Sequence, residues 1–368
     1  MKLLTKLITA ISLSTLVCTP LFASTNITIT PAPNTSVATS VATIDETTGL
    51  PILTLEESIK GALSKNNSLA LNSQQHTLLQ EQMNSMDDIG AYKYQQIYIS
   101  YNQNVQQREF LKDKVTADIT KRYNSIILIG EEIKNIEANI ALKKEAIKVL
   151  EIQKKAGMAI SLQIDAANLE LKNLEANKLA KEETLKSEKE AFLMLTNKDL
   201  NKYALENSIS FEPFRLENPK AYFQTNADKY LKYQNELAVL QSDNIFENFI
   251  NPVTGSAYAP TYAEYLSAKY SASSATLNVK DSKDTLVQNL LSSYASLLNM
   301  EEQINTLESQ KALIEKQLAT AAVQRKVGMM TKLEYEQQAI KLDDLSFNLV
   351  SLINSYNLLV QTLQKPWS

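Results

Sequence analysis

Two runs of alternating three- and four-residue apolar spacing, each closed by the same Gly-Met phrase, constrain this chain more than any other feature. The first run places Ile126, Ile129, Ile133, Ile136, Ile140, Ile147 and Leu150 ahead of Gly157. The second places Leu297, Met300, Ile304, Leu307, Ile314, Leu318 and Ala321 ahead of Gly328. Steps of this kind hold one narrow stripe of a helix against a partner helix. The two stripes stay in register at an offset of 171 residues, the separation of Gly157 from Gly328. The polar breaks, Lys143 and Lys311, fall at different places in the two copies. At the same offset Ala141 meets Ala312, Gln153 meets Gln324, Lys155 meets Lys326 and Leu162 meets Leu333.

After each glycine the pattern resumes. Leu342, Leu345, Leu349, Leu352, Tyr356, Leu359 and Leu363 keep the rhythm in the second copy, while Ile164, Ala167, Leu171 and Leu174 keep it more loosely in the first, where Lys178 interrupts. Each half therefore reads as helix, glycine turn, helix: an antiparallel hairpin. A glycine after a lysine-rich last turn suits a helix C-terminus, where a positive φ is needed and cations complement the dipole. An arm over residues 111–156 spans roughly 70 Å at 1.5 Å per residue. With 7 glycines and 9 prolines in 368 residues, there is little turn chemistry to interrupt such arms.

The N-terminus reads as an export signal over residues 1–23. Lys2 and Lys6 form the charged region, Leu7 to Val17 a short hydroxyl-containing apolar run, and "PLFAS" a cleavage site after Ala23. The run is too short for a membrane span of about 20 apolar residues. Cys18, the single cysteine, lies inside the signal, so the exported chain is expected to have neither disulfide nor thiolate chemistry. Residues 24–48, rich in Ser, Thr and Ala with two prolines, read as a flexible spacer. No later run is apolar enough to predict a transmembrane helix. A formal charge of −4 without a basic patch argues against nucleic acid. The remainder divides into a first repeat at 49–210 and a second at 211–368. Thr54 with Glu57 marks a capping box at the first helix, and Asn66 to Ser68 marks a break after it.

Four phrases, in order, resemble the TolC family of outer-membrane efflux proteins. "LTLEESIKGALSKNNSL" at 53–69 resembles that family's opening helix, and "KKAGM" and "RKVGM" resemble its two tip turns. "FLMLTNKDL" at 192–200 resembles the close of its first half, and "LVQTLQKPW" at 359–367 its C-terminal ending. The resemblance implies a mainly α fold: two repeated long antiparallel helical hairpins forming a TolC-like α-barrel protomer. It implies a homotrimer enclosing a helical tunnel, docked on a periplasmic adaptor that is itself bound to an inner-membrane pump. The docking tips would be Ala156, Gly157 and Met158 on one hairpin and Val327, Gly328 and Met329 on the other. It also implies a pore constriction at Glu334, six residues past the second tip glycine. The family's next acid falls at Gln337, a departure, and Glu334 equally reads as a solvated acid in a helix's first turn.

The family's membrane barrel takes two strands from each half. The first gap, 86–107, holds one plausible strand at 91–101 and no hairpin turn, and the second, 246–274, holds Asn251-Pro252 and Ala259-Pro260. Barrel strands are therefore expected to be short or absent. Both gaps are rich in tyrosine: Tyr92, Tyr94, Tyr98 and Tyr101 in one, Tyr258, Tyr262, Tyr265 and Tyr270 in the other. These are candidates for a membrane interface, where an apolar ring with a wet hydroxyl is favoured, or for packing at helix ends. His76, the only histidine, falls on a predicted helix as a surface or packing residue. No phosphate-binding glycine loop is present, and no His/Cys set for a metal or nucleophile, so no cofactor and no enzyme activity are expected. Two functions fit: an exported TolC-like conduit, or a barrel-less extracytoplasmic coiled-coil scaffold without channel activity.

Overall fold

The computed structural model describes residues 49–85, 91–207, 209–250 and 256–368. The signal at 1–23 and the spacer at 24–48 lie outside the described residues, and so does the Asn251-Pro252 pair. The elements in order are β1 (Ile52–Leu53), α1 (Leu55–Lys65), α2 (Asn67–Asn84), α3 (Ala91–Lys155), α4 (Ser161–Thr196), β2 (Ala204–Leu205), α5 (Pro219–Asp243), a 3-10 turn (Ile245–Phe249), α6 (Tyr262–Lys326) and α7 (Lys332–Gln364). Both long arms, α3 and α6, have 65 residues, roughly 100 Å at 1.5 Å per residue. They begin, and end, 171 positions apart. The fold is mainly α, with two repeated long antiparallel hairpins, α3–α4 and α6–α7.

Local chemistry sets the boundaries. Thr54 accepts a hydrogen bond from the Glu57 N–H at 3.3 Å and starts α1. Asn66 has an extended backbone between α1 and α2, and its Oδ1 accepts from the Leu69 N–H at 3.0 Å. One residue thus ends one helix and caps the next, at the predicted break.

The buried seams repeat as the apolar spacing does. Ile119, Tyr123, Ile126 and Ile133 on α3 are buried, and so are Leu290, Tyr294, Leu297 and Ile304 at the same positions on α6. The two tyrosines also anchor extended chain. Tyr123 donates its hydroxyl proton to the Leu53 carbonyl at 2.8 Å and accepts from the Glu206 N–H at 2.8 Å. Its hydroxyl is thereby locked beside the parallel β1–β2 pair, in which Ile52 faces Ala204 and Leu53 faces Leu205. Burial pushes the Tyr123 hydroxyl up to about 12. In the second half, Tyr294 accepts from the Leu216 N–H at 3.1 Å and Tyr356 from the Phe214 N–H at 2.7 Å. These bonds hold the segment between β2 and α5, whose Ile209, Phe211, Phe214 and Leu216 pack on the α6–α7 core.

The two halves are joined along α3. Asn124 donates from Nδ2 to Asn354 Oδ1 on α7 at 2.8 Å, and both side chains are buried. The C-terminus closes the same face: Asp113 accepts from Lys365 Nζ at 2.7 Å and from Trp367 Nε1 at 2.8 Å. Phe110 stacks on Trp367 at 4.6 Å, and Lys229 of α5 lies 4.5 Å over the same indole.

One expectation fails. Residues 91–101 are not a strand but the first three turns of α3. A strand there would need a partner, and α2 ends at Asn84 while α3 begins at Ala91. That leaves no length for a returning strand of about 9 to 11 residues. The helix instead packs on α2: Tyr101 lies against His76 at 4.7 Å, and Asn72 Nδ2 donates to the Asn104 carbonyl at 3.0 Å. Among the described residues the only extended pairings are β1–β2 and an isolated bridge between Ile250 and Ala257. No helix among them is long and apolar enough to cross a membrane.

A paired glycine experiment checks the packing. At Gly61 on α1, an added Cβ would lie 2.7 Å from the Thr196 carbonyl oxygen, whereas at Gly130 on α3 it would meet nothing within 4 Å. Gly61→Ala is expected to lower unfolding stability by about 1–3 kcal/mol through overpacking. Gly130→Ala is expected to raise it by about 0.5–1 kcal/mol through helix propensity. Denaturant unfolding of the two variants reads the opposite signs.

Candidate functional site

The hairpins turn by the same device. In the first, the Gly157 N–H donates to the Lys154 carbonyl at 3.0 Å and the Met158 N–H to the Gln153 carbonyl at 2.8 Å. In the second, Gly328 donates to Arg325 at 3.2 Å and Met329 to Gln324 at 2.9 Å. This pair of bonds closes a helix through a left-handed residue, and the glycines have φ of +75° and +78°. Ala156, Gly157 and Met158 form one exposed turn, and Val327, Gly328 and Met329 another; Met158 is 74% exposed and Met329 81%.

Past the turn the tips differ. Thr331 caps α7 and Glu334 answers it: the Glu334 N–H donates to Thr331 Oγ1 at 3.2 Å, while Glu334 Oε2 accepts from the Thr331 N–H and hydroxyl, each at 2.8 Å. The bonds from Thr331, backbone first and hydroxyl second, hold the Glu334 carboxyl below its ordinary range. Arg325 lies 5.1 Å over the Tyr335 ring, adding a contact across this turn. The first tip has Ile160 in place of Thr331. It offers no side-chain acceptor, and only its N–H is capped, by Gln163 Oε1 at 3.1 Å. Ile160 and Leu162 are exposed there beside Met158. The T-x-x-E spelling of Thr331 and Glu334 is the local signal for this cap, a signal the sequence reading used only at Thr54 and Glu57.

At the opposite end of the long arms the structure brings both tyrosine clusters to one place. Tyr94 and Tyr98 stack at 6.5 Å and are exposed, and so are Tyr258, Tyr262 and Tyr270. Tyr262, Leu266 and Tyr270 recur every fourth residue, forming an outward stripe on α6. The other three turn onto the protein: Tyr265 stacks on Phe246 at 6.0 Å, Tyr101 lies on His76, and Tyr92 accepts from Gln96 Nε2 at 2.9 Å. Burial, with Glu247 adding to it, raises the Tyr92 hydroxyl above its usual value. Tyr92 and Gln96 of α3 share a groove of about 550 Å³ with Gln241, Asn248, Ser267 and Ser271. No sequence signal marks this groove, because three separate segments build it. Among the described residues no group of three or more His, Cys, Asp or Glu could hold a metal ion.

Two measurements follow from the tips. Gly157→Ala and Gly328→Ala each force a side chain into the left-handed region, at about 1–2 kcal/mol; faster amide exchange of Met158 and Met329, respectively, is the expected result. For Glu334 the depressed carboxyl contributes stability that is complete above the ordinary glutamate value. It is lost as pH falls through the lower folded value. Exchange at the start of α7 should accelerate in that acidic window, and Glu334→Gln should remove the pH dependence.

No protein-family model matches the chain, and no curated protein matches it in sequence. Solved structures do match it. A membrane protein from Pseudomonas aeruginosa aligns over 92% of this chain and 99% of its own, at TM-score 0.61 and 10% identity. CusC, crystallised in a study of folding and transmembrane channel formation, aligns over 85% and 92% at TM-score 0.60 and 12% identity. The outer membrane protein VceC from Vibrio cholerae aligns over 84% and 96% at TM-score 0.57 and 14% identity. With its two equal hairpins, the chain has the TolC-like fold.

Proposed function

We propose that this chain is the exported helical conduit of an efflux or secretion assembly. Three copies, each giving two hairpins, enclose a tunnel in the extracytoplasmic space, at the outer membrane where the cell has one. The tips, at Ala156, Gly157, Met158, Val327, Gly328 and Met329, dock on a periplasmic adaptor bound to an inner-membrane pump. The conduit is passive, opened by docking and driven by the pump. Glu334, ionised in its cap, repeats around the trimer axis as an anionic ring that favours cations. The exposed tyrosines Tyr94, Tyr98, Tyr258, Tyr262 and Tyr270 meet the membrane interface.

The observation that carries this reading is the equality of the two arms. α3 and α6 have the same length and turn at the same offset through the same glycine device. Two docking surfaces on one ring must stand at one height, whereas a chain that only needed a core has no reason to match 65-residue arms.

One observation favours a second reading, a coiled-coil scaffold that conducts nothing. The connection from α2 to α3 is too short for two membrane strands, and that from α5 to α6 carries a 3-10 turn instead. Light scattering of the exported chain, with and without detergent, together with bilayer conductance, separates the two. The conduit reading expects a trimer that binds detergent and conducts. A monodisperse particle that needs no detergent and conducts nothing would leave the scaffold. In a cell lacking the chain, the wild type should restore export, and the paired Met158→Glu, Met329→Glu variant should not, although its oligomeric mass is unchanged.

A further inference from the structure

We infer that the groove between the first turns of α3, the end of α5, the 3-10 turn and the first turns of α6 is a binding site for a neutral saccharide. Its volume of about 550 Å³ is that of a small-molecule site. Its wall chemistry selects the ligand class. Among the described residues that line it there is no lysine, arginine or histidine to offer a phosphate or carboxylate ligand a counter-charge. The one acid among its described lining residues, Glu264, accepts from the Thr261 N–H at 2.7 Å and from the Thr261 hydroxyl at 2.8 Å, and so is already committed to capping α6.

What remains is amide and hydroxyl. Gln96 and Asn248 each spend one amide N–H inside the protein, on the Tyr92 hydroxyl at 2.9 Å and the Ile245 carbonyl at 2.8 Å, and each amide retains an acceptor oxygen and a second N–H. Gln241, Ser267 and Ser271 add groups that both donate and accept. A sugar hydroxyl likewise donates and accepts, so a chain of hydroxyls satisfies such a wall without any charge. Phe249, Ala268, Ala272 and Tyr92 also line it. That gives the apolar face of a pyranose a surface to cover. The tyrosine stripe on α6 is a separate feature: at 3.6 residues per turn, Tyr262 and Tyr270 stand away from the side of α6 that Ser267 and Ser271 present to the groove. The site holds equally for a conduit or a scaffold, and its failure leaves both readings of function intact.

The saccharide has two sources, a free or wall-bound glycan and a glycolipid headgroup, and the test separates them. The exported chain, in the oligomer it forms, is titrated with chitohexaose and with maltoheptaose by calorimetry. It is also sedimented with phosphatidylcholine vesicles with and without digalactosyl diacylglycerol. Saturable binding of either oligosaccharide, or of the glycolipid vesicles alone, supports the site and names the source. Ala268→Phe fills the groove and Gln241→Leu removes an amide from its wall; at least one, with an unchanged melting curve, should weaken that binding about tenfold or more. Tyr270→Ser, on the outward stripe, should leave it unchanged. No binding of either oligosaccharide, together with no preference for the glycolipid vesicles, overturns the proposal. So does binding that neither groove variant weakens.

Discussion

A helix of 65 residues is stable in water only if something covers one side of it along most of its length. The architecture depends on that requirement. On α6 the covering stripe is continuous: Val287, Leu290, Tyr294, Leu297 and Ile304 are buried, and Leu349, Ile353, Tyr356 and Leu363 of α7 meet them. Phe223 and Ala227 of α5 complete that core from the other side. On α3 the stripe from Val115 to Ile126 is covered by Ala62 of α1 and Phe192 of α4. Tyrosine sits at the equivalent place in both because each seam must also hold an extended segment, and only a hydroxyl on a ring reaches the backbone from inside the core.

Toward the tips the halves solve the problem differently. α4 buries only Ala167, Phe192 and Thr196. Its turns add ion pairs to α3, whose Ile133, Ile136, Ile140 and Ile147 are buried toward this tip: Lys181 with Glu132 at 2.7 Å, Lys178 with Glu137 at 2.8 Å, Lys144 with Glu175 at 3.0 Å, the close pair of Lys143 with Glu170 and, farther from the tip, that of Arg122 with Glu188. All of these side chains keep between 28% and 61% of their surface in contact with solvent, so water and salt screen them. The lysines that interrupt the first seam in sequence are therefore its cross-hairpin partners. The first tip carries the less complete cap, with Ile160 where the second has Thr331.

At the other end the deciding quantity is length. A pair of membrane strands needs more residues than lie between Asn84 and Ala91. The tyrosine-rich segments, with β-favouring side chains and no partner strand, extend the long helices instead. The reading of residues 91–101 as a strand rested on composition over a short window, where strand and buried helix start look alike. What decided it was the neighbouring α2, which offers a helix face to pack on and no edge to pair with.

The sequence by itself determined the hairpins. Apolar steps of three and four, two glycines after basic turns and an offset of 171 residues specify two long antiparallel pairs and where each must turn. These are local and periodic signals, and a helix expresses its period without outside help. Caps at Thr54, Asn66 and Thr331 are local in the same way, since each bond spans three residues. Only the tertiary structure decided what lies between distant segments. Asp113 gathering Lys365 and Trp367, the buried Asn124–Asn354 pair, and the groove shared by Gln96, Gln241 and Ser267 join residues far apart in the chain. Such contacts follow from how whole helices pack, which no short window of residues encodes.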